Sequence, residues 1–322
     1  MNTYFDVTRS QDFVDRYKVE KADFGVDVII PLLHSTPFWR QNLLSYYREI
    51  PVKRLLVGNA GAIDGSDKVL EEFPRVEIKD HRELRTLGKS LANLMSIVET
   101  EFFIYLQSDT FLPEEWFDTM WGFRENFDWF GCPERPLVVL GAPTNDQGGK
   151  RPMAGTQFGR TSAFRNVNDH IEDDFGYRQE DFIFEGYVLR GGGKVGGVHN
   201  TYHVHQITER MTTGRQLKVR SINVDFEPEV DDERVLATQL KGYIKYCNPS
   251  QETVKRSAYS EVAHLVGKGL FSLRELKSFA ESQNPEWGTP ITRMYWRATL
   301  LYVARAPIFP IYRFLQKILG LS

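Results

Sequence analysis

The residues best suited to chemistry follow a short apolar run in the first half of the chain. Residues 103–106 read Phe-Ile-Tyr-Leu, which is typical of a buried strand, and Gln107, Ser108 and Asp109 come directly after it. A carboxylate at the carboxyl-terminal tip of a central strand is well placed to hold a hard divalent ion such as Mg²⁺ or Mn²⁺. Such an ion can bridge a diphosphate and stabilise the charge on a leaving nucleotide. Asp109 could instead cap the helix that begins near Pro113.

An acid pair and a histidine pair occur later in the chain. Glu180 and Asp181 open a helical stretch that ends in the glycines at 191–193. A carboxylate beside an acceptor hydroxyl can remove its proton, so Asp181 is a candidate general base. The two acids could also serve only to complement the helix dipole. His203 and His205 lie two apart on one face of an expected strand, where imidazoles bind metals or pack in a core.

A glycine-rich turn follows another strand pattern. Residues 59–66 read Asn-Ala-Gly-Ala-Ile-Asp-Gly-Ser and precede a helix, and the first strand ends near Pro31. Ligands of open α/β sheets bind beyond the carboxyl ends of the strands. Pro31, Asn59 and Asp64 are therefore candidate nucleotide contacts. The same letters are also compatible with an ordinary turn.

These residues can form one site only if the strands that precede them end at the same edge of a sheet. Near-continuous apolar runs alternate with helical patterns in the first two-thirds of the chain, which predicts an α/β fold with a largely parallel sheet. Helical patterns between Asp231 and Asn284 predict a helical carboxyl-terminal appendage. The expected strands are Val26–Leu33, Lys53–Gly58, Arg75–Ile78, Phe102–Gln107, Leu137–Ala142 and Val195–Val204.

The order and spacing of four motifs resemble those of family 2 glycosyltransferases, which have the GT-A fold. The motifs are VIIP, NAGAIDGS, RTLGKSLAN and IYLQSDT, and with the acid pair and the histidines they span residues 26–205. The resemblance implies a nucleotide-diphospho-sugar transferase fold, with a Rossmann-like mixed sheet flanked by helices. It also implies a metal-dependent, inverting transfer of a sugar from a nucleotide sugar to an acceptor hydroxyl.

The resemblance assigns roles to the residues of the nucleotide site. Asn59 stands where the family has an Asp that contacts the uracil or another base. Gln107 stands where the family has the first Asp of a D-x-D, which touches the ribose. Arg85 is the expected diphosphate or base-side contact, and Gly88 and Asn93 match the family's helix motif. The implied donor is a nucleotide sugar, with a UDP-sugar as the leading choice. The remaining expected contacts are Pro31, Asp64 and Ser108.

The resemblance also implies the catalytic residues. Asp109 keeps the second Asp of the D-x-D and is expected to bind Mg²⁺ or Mn²⁺. A histidine, His203 or His205, is expected to reach the metal or the diphosphate. Asp181 matches the general base of the family's E-D motif, and Glu180 is expected to orient the acceptor or the base.

Two other functions fit parts of the sequence. A nucleotide-sugar-binding protein without catalysis, with a degenerate D-x-D site, would explain Gln107 and the Asn59-Ala60 turn, whereas Asp109 and the acid pair favour an enzyme. A nucleotidyltransferase would share the α/β plan. It would need a glycine-rich loop with Arg or Lys near the amino terminus, and the loop after Pro31 has neither feature.

Composition excludes several classes of protein. The chain has 322 residues and a net charge of −3, which does not indicate a nucleic-acid partner. Its two cysteines form no CxxC pair, which argues against a disulfide scaffold and favours a reducing, cytoplasmic setting. The amino-terminal residues contain no apolar segment typical of a signal peptide.

The last segment, residues 291–322, has five basic residues, no acidic residue and many aromatic and aliphatic ones. This pattern is typical of an amphipathic helix in a membrane interface, here interrupted by Pro307 and Pro310. It predicts peripheral attachment to the cytoplasmic face of the membrane and a lipid-linked or cell-envelope saccharide as acceptor. The alternative is a helix packed on the protein's own core. The expected division of the chain is a lead-in (1–25), a GT-A catalytic domain (26–206), a helical region (207–290) and a membrane-associating tail (291–322).

Overall fold

The protein is described here from a computed structural model, in which the chain forms two compact units, residues 1–228 and 229–322. The finer division into lead-in, catalytic domain, helical region and tail stays a prediction. The described residues are 25–33, 35, 38–62, 65–84, 86–133, 135–139, 142–146, 155–171, 180–207, 210–213, 216–219, 233–267, 269 and 272–305.

The first unit contains all of the described strands. They are β1 (Val26–Leu32), β2 (Val52–Asn59), β3 (Val76–Asp80), β4 (Phe102–Leu106), β5 (Thr110–Phe111), β6 (Trp129–Gly131), β7 (Arg135–Val139), β8 (Ala142–Asp146), β9 (Thr156–Arg160), β10 (Val195–Gly197), β11 (Val204–Ile207), β12 (Arg210–Thr213) and β13 (Gln216–Val219). Its helices are α1 (Trp39–Glu49), α2 (Ser66–Val69), α3 (Leu87–Ser96), α4 (Trp116–Trp121), α5 (Val167–His170) and α6 (Glu180–Arg190).

The central sheet has seven strands in the order β10-β6-β9-β4-β1-β2-β3. β1 pairs in parallel with both β2 and β4, and β2 pairs in parallel with β3. β9 is antiparallel to its neighbours β4 and β6, so the sheet is mixed. A smaller sheet has the order β5-β11-β7-β8. The predicted fold class, α/β with a Rossmann-like mixed sheet between helices, is confirmed.

Burial explains why the central strands form where they do. All five residues of β4 and all of β1 except Pro31 are buried, as expected for strands that are covered on both faces. On one face, Trp116 of α4 packs against Phe158 of β9. On the other face, Phe103 packs against Phe164. The strand tips are therefore set by a core that extends to both sides of the sheet.

Two of the expected strands are wrong in extent. The run Leu137–Ala142 is not one strand, because β7 ends at Val139 and β8 begins at Ala142, and the two form an antiparallel hairpin. The run Val195–Val204 divides into β10 and β11, which belong to different sheets. A strand-like pattern of apolar residues does not show which strand it pairs with, so it cannot show that the pairing partner changes along the run. Strands β6 and β9 were not expected; β9 contains Gly159, where a Cβ would lie 2.3 Å from the Phe103 ring.

The second unit is helical, which confirms the predicted appendage. Its helices are α7 (Glu233–Tyr246), α8 (Glu252–Gly267), α9 (Leu273–Gln283) and α10 (Gly288–Arg305). Ser272 and Glu275 form a capping box at the start of α9, which satisfies two backbone N–H groups. Trp287 donates through Nε1 to the Cys247 carbonyl at 2.9 Å and joins the start of α10 to the end of α7.

Helix α10 has a buried face and an exposed face. Ile291, Met294 and Ala298 are buried within the helical unit, so the first part of the predicted tail packs on the protein's own core. Trp296 and Leu300 are 49% and 67% exposed on the other side. Within the part of the chain that the structure describes, no helix is long and apolar enough to cross a membrane. The rest of the predicted tail, 306–322, lies outside the described residues.

Candidate active site

The carboxyl ends of the parallel strands bring Pro31, Asn59 and the residues after β4 to one edge of the sheet. Pro31 pairs with Gly58, and Leu32 pairs with Asn59, so β1 and β2 end side by side. The Ala60 backbone N–H donates to the Leu32 carbonyl at 2.8 Å and continues this pairing into the turn. β4 lies on the other side of β1. Since neighbouring strands are about 4.8 Å apart, the tips of β2 and β4 are separated by about 10 Å.

Side chains of helix α1 form hydrogen bonds with the backbone of the turn at the tip of β4. The Tyr46 hydroxyl lies 2.8 Å from the carbonyls of both Gln107 and Thr110, and Asn42 donates to the Ser108 carbonyl at 2.9 Å. Tyr46 and Asn42 are fully buried. Burial raises the pKa of Tyr46, so this hydroxyl remains a neutral donor. The backbone that carries Gln107, Ser108 and Asp109 is thus fixed by side chains of the core, while their own side chains are half-buried at the edge.

A buried chain of hydrogen bonds connects this turn to the acid pair. Gln107 donates through Nε2 to the Tyr105 hydroxyl at 3.2 Å, and Tyr105 donates to Glu180 Oε1 at 3.3 Å. Both Tyr105 and Glu180 are buried, at 1% and 5% exposure. Gln107 therefore uses an amide N–H within the protein, and Tyr105 is a site residue that the sequence motifs did not indicate. Its only signal was its position two residues before Gln107 on a strand with alternating faces.

Burial raises the pKa of both acids. Burial raises the pKa of Glu180, while the hydrogen bond from Tyr105 acts in the opposite direction. Burial, and next the negative charge of Glu180, raise the pKa of Asp181 to about 8. A carboxyl group that exchanges its proton near neutral pH suits general acid–base catalysis. The two residues lie in the first turn of α6, where the positive end of the helix dipole favours an acid.

A second polar cluster lies at the ends of β2 and β3. Asn59 accepts through Oδ1 from the backbone N–H groups of Gly61 and Ala62, at 2.9 and 2.8 Å. His81 follows β3; its Nδ1 lies 2.7 Å from Ser90 Oγ, and its Nε2 lies 2.9 Å from Asn93 Oδ1. Because a carboxamide oxygen only accepts, Nε2 carries the proton and Nδ1 accepts from the serine hydroxyl.

His81 also explains a glycine at the edge of the sheet. A Cβ on Gly58 would lie 2.3 Å from His81 Nδ1 and 2.9 Å from Ser90 Oγ. Burial lowers the pKa of His81, so the ring is neutral at pH 7 with both nitrogens in use. His81 thus links the end of β2 to Asn93 on helix α3. Gly88 is buried in the first turn of α3, whereas Arg85 and Asp64 lie outside the described residues.

Strand β11, which contains His205 and begins directly after His203, runs beside the Asp109 turn. β11 pairs with β5 so that His205 lies opposite Thr110, the residue after Asp109. His203 is fully buried, with Nδ1 3.0 Å from Thr156 Oγ1, and a Cβ on Gly155 would lie 2.9 Å from its Nε2. The side chain of His205 lies outside the described part. Among the described side chains, no group of three or more His, Cys, Asp and Glu is placed to hold a metal ion.

Comparisons with known proteins give distant similarities in structure alone. No protein-family model and no curated protein matches the sequence. S. aureus TarS in complex with UDP-GlcNAc is 12% identical, over 86% of this chain and 92% of that one, with a TM-score of 0.47. The mannosyltransferase PcManGT from Pyrobaculum calidifontis, in complex with GDP-Man and Mn²⁺, is 10% identical, over 92% and 94%, with a TM-score of 0.46. HddC from Yersinia pseudotuberculosis is 15% identical, over 56% and 93%, with a TM-score of 0.40.

Proposed function

We propose that the protein is a metal-dependent, inverting glycosyltransferase that moves a sugar from a nucleotide sugar to an acceptor hydroxyl. The observation that carries the proposal is the buried link from Gln107 through Tyr105 to Glu180. It joins the turn that contains Asp109 to the helix that contains Asp181. A candidate metal ligand and a candidate general base are therefore parts of one hydrogen-bonded structure.

The acid pair would serve the acceptor. Asp181 takes the proton of the attacking hydroxyl, which is the step that an inverting transfer requires of a side chain. Its pKa of about 8 makes it a stronger base than an ordinary aspartate. Glu180, held by the Tyr105 hydroxyl at 3.3 Å, orients the acceptor or Asp181. Its fixed position keeps the base in one geometry.

Asp109 is proposed to bind a hard divalent ion. A strand-end carboxylate suits Mg²⁺ or Mn²⁺, and the register of β5 and β11 places the backbone of His205 opposite Thr110, the residue after Asp109. When bound, the ion would stabilise the negative charge of the leaving diphosphate. Tyr46 and Asn42 donate to the carbonyls of Gln107 and Ser108 and so fix the backbone that leads to Asp109.

The nucleotide would lie along the strand ends from β2 to β4, a separation that matches the length of a nucleoside with its first phosphate. The phosphates then reach the β4 turn, and the base reaches the cluster around His81. The proposed contacts are Pro31, Asn59, Asp64, Arg85, Gly88, Asn93, Gln107 and Ser108.

The acceptor is proposed to be a lipid-linked or cell-envelope saccharide at a membrane surface. The support is the acid-free segment 291–322 and the exposed Trp296 and Leu300 on α10. A basic, aromatic surface favours the interface of an anionic membrane. The protein would then be peripheral on the cytoplasmic face, with the exposed Arg293 facing the lipid headgroups.

Transfer assays with matched variants test the proposal. The full chain is incubated with a panel of nucleotide sugars, Mn²⁺ and a membrane lipid extract, and the products are identified by mass spectrometry. Asp181→Asn should lower turnover by about 10²- to 10⁴-fold, since general-base catalysis contributes on that order. Asp109→Asn should make turnover insensitive to Mn²⁺. Asp118→Asn, which alters an exposed carboxylate on α4, should leave turnover unchanged. Full turnover in both Asp109→Asn and Asp181→Asn would refute the proposal.

One observation favours a second candidate, a nucleotide-sugar-binding protein without catalysis. Gln107 donates to Tyr105 inside the protein and does not supply a second carboxylate at the β4 turn. For this candidate, nucleotide sugars bind the wild-type chain, and no donor is transferred or hydrolysed with any metal. Calorimetry and the product assay, run on one preparation, distinguish the two functions.

A further inference from the structure

Gln157 is a buried glutamine in the middle of strand β9. It is 1% exposed, and neither its Oε1 nor its Nε2 has a hydrogen-bond partner among the residues that the structure describes. Most buried polar side-chain atoms in native proteins are paired, because an unpaired atom gives up its bonds to water without replacement. Two unpaired atoms on one side chain therefore indicate a ligand group that the protein itself does not supply.

The side chains beside Gln157 in the sheet offer no donor to its Oε1. Gln157 pairs with Tyr105 of β4 on one side and with Gly131 of β6 on the other. The Tyr105 hydroxyl donates its one hydrogen to Glu180, so it has none left for the carboxamide. Gly131 has no side chain. A donor for Oε1 must therefore come from outside these strands.

The carboxamide lies on the face of the sheet that carries the link to the acid pair. Residues that pair directly across antiparallel strands project from the same face, with Cβ atoms about 5 Å apart. Gln157 is thus beside Tyr105, whose hydroxyl contacts Glu180 at 3.3 Å. Burial raises the pKa of Tyr105 most, and the negative charges of Asp181 and Asp109 are among those that raise it further. The candidate base and the candidate metal ligand therefore both act on the hydroxyl next to Gln157.

We propose that Gln157 binds two adjacent hydroxyl groups of a sugar, one that accepts from Nε2 and one that donates to Oε1. The inference rests on the proposed function and names a specificity-determining residue for it. Because each hydroxyl can donate or accept, an adjacent pair supplies both partners that the carboxamide lacks. β9 lies beyond β4 on the side away from β2, where a sugar would follow the phosphates of a nucleotide placed from β2 to β4. The donor sugar and the acceptor saccharide are the two sources of such a diol.

Gln157→Met tests the inference, because it keeps the length of the side chain and removes both polar atoms. The full chain is titrated calorimetrically with UDP-glucose, UDP-galactose, UDP-GlcNAc and GDP-mannose, and with UDP and GDP, in the presence of Mn²⁺. If the diol belongs to the donor, the variant should bind the preferred nucleotide sugar about 10- to 100-fold more weakly, since two hydrogen bonds are lost. Its affinity for the matching diphosphate should not change.

A transfer assay detects a diol that belongs to the acceptor. In that case the donor affinity of Gln157→Met equals that of the wild type. Transfer from the preferred donor should fall about 10- to 100-fold at a limiting amount of membrane lipid extract and recover at a saturating amount. Gln239→Met is the matched control, because Gln239 is fully buried in the helical unit. It should leave donor affinity and transfer unchanged.

The stability of the ligand-free protein separates a binding role from a structural one. An unpaired buried carboxamide opposes folding, so Gln157→Met should not lower the melting temperature. Gln157→Leu is a second variant with the same expected result. A lower melting temperature in both variants would show that the carboxamide has a partner within the protein, and would overturn the inference.

Failure of the inference differs from failure of the proposed function. Wild-type donor affinity and wild-type transfer at both amounts of extract in folded Gln157→Met would overturn the inference alone. An equal loss of affinity for the diphosphate and for the nucleotide sugar would also overturn it, because the ligand of Gln157 would then be the nucleotide. A wild-type chain that binds none of these nucleotides would contradict the proposed function itself.

Discussion

The hydroxyl of Tyr105 provides the sharpest test of the active-site geometry. Tyr105→Phe removes one oxygen from a fully buried position, together with the bond to Glu180 at 3.3 Å and the bond from Gln107 at 3.2 Å. A hydrogen bond to a charged group contributes about 1.5–3 kcal/mol, and the long distance favours the lower end. Gln107 is half-buried and can exchange its lost partner for water. We therefore expect a loss of about 1.5 kcal/mol when Glu180 is ionised.

The same bond changes the pKa of Glu180. Because the hydrogen bond from Tyr105 lowers the pKa of Glu180, that pKa should rise further in Tyr105→Phe. The folded-state pKa of Glu180 is already above its ordinary value because of burial. A group of this kind contributes stability that is present at low pH and is lost as the pH rises through its folded pKa. Raising that pKa makes the loss larger, so the variant should be destabilised more at high pH than at low pH.

Urea unfolding of the wild-type and variant chains at pH 5 and pH 9 measures this difference. Tyr46→Phe is the matched control, because its buried hydroxyl contacts backbone carbonyls at 2.8 Å and no carboxylate. It should lower the free energy of unfolding by the same amount at both pH values. Equal losses at the two pH values in Tyr105→Phe would refute the link between the hydroxyl and the charge on Glu180.

Three further predictions concern other parts of the molecule. Asp181→Asn should make the decline in unfolding free energy between pH 4 and pH 8 less steep, because the raised pKa of about 8 makes the ionised form of Asp181 unfavourable in the folded state. A decline as steep as in the wild type contradicts this. Gly58→Ala should lower the free energy of unfolding by about 1–3 kcal/mol, because the added Cβ would lie 2.3 Å from His81 Nδ1. Gly288→Ala is the control: its Cβ would have no neighbour closer than 3.7 Å, so it should change the free energy of unfolding little in the same measurement. Trp296→Ser combined with Leu300→Ser, which alters two exposed side chains of α10, should change the melting temperature little and lower co-sedimentation with anionic vesicles, and unchanged co-sedimentation would contradict the role proposed for α10.

Much of the fold was predictable because burial on both faces leaves a clear trace in the sequence. The apolar runs of β1, β2 and β4 predicted those strands to within two residues at each end. β9 could not be found in this way, because it reads Thr-Gln-Phe-Gly-Arg and its burial comes from neighbours far away in the chain. The division of residues 195–204 between two sheets likewise depends on partners that a local pattern does not contain.

The site was predictable in its positions and less so in its contacts. Asp109 follows β4 and Asn59 is the last residue of β2, so their place at the sheet edge follows from strand ends alone. The partners of Gln107 and Asn59 could not be predicted. Gln107 donates to Tyr105, and Asn59 accepts from the backbone of its own turn. Both bonds require the folded backbone. The proposed metal site and general base stay predictions until the variants above are measured.

The hydrogen bonds from helix α1 to the β4 turn affect the rate at which a ligand associates with that turn. Asn42 and Tyr46 are fully buried, so the turn between Gln107 and Thr110 becomes ordered when the core forms. A ligand that reaches this turn meets backbone that already has its final shape, and no entropy of loop ordering opposes association there. Association at this turn should therefore follow a single exponential whose rate rises linearly with ligand concentration. A chain altered at Asn42 would add a slow ordering step to that process.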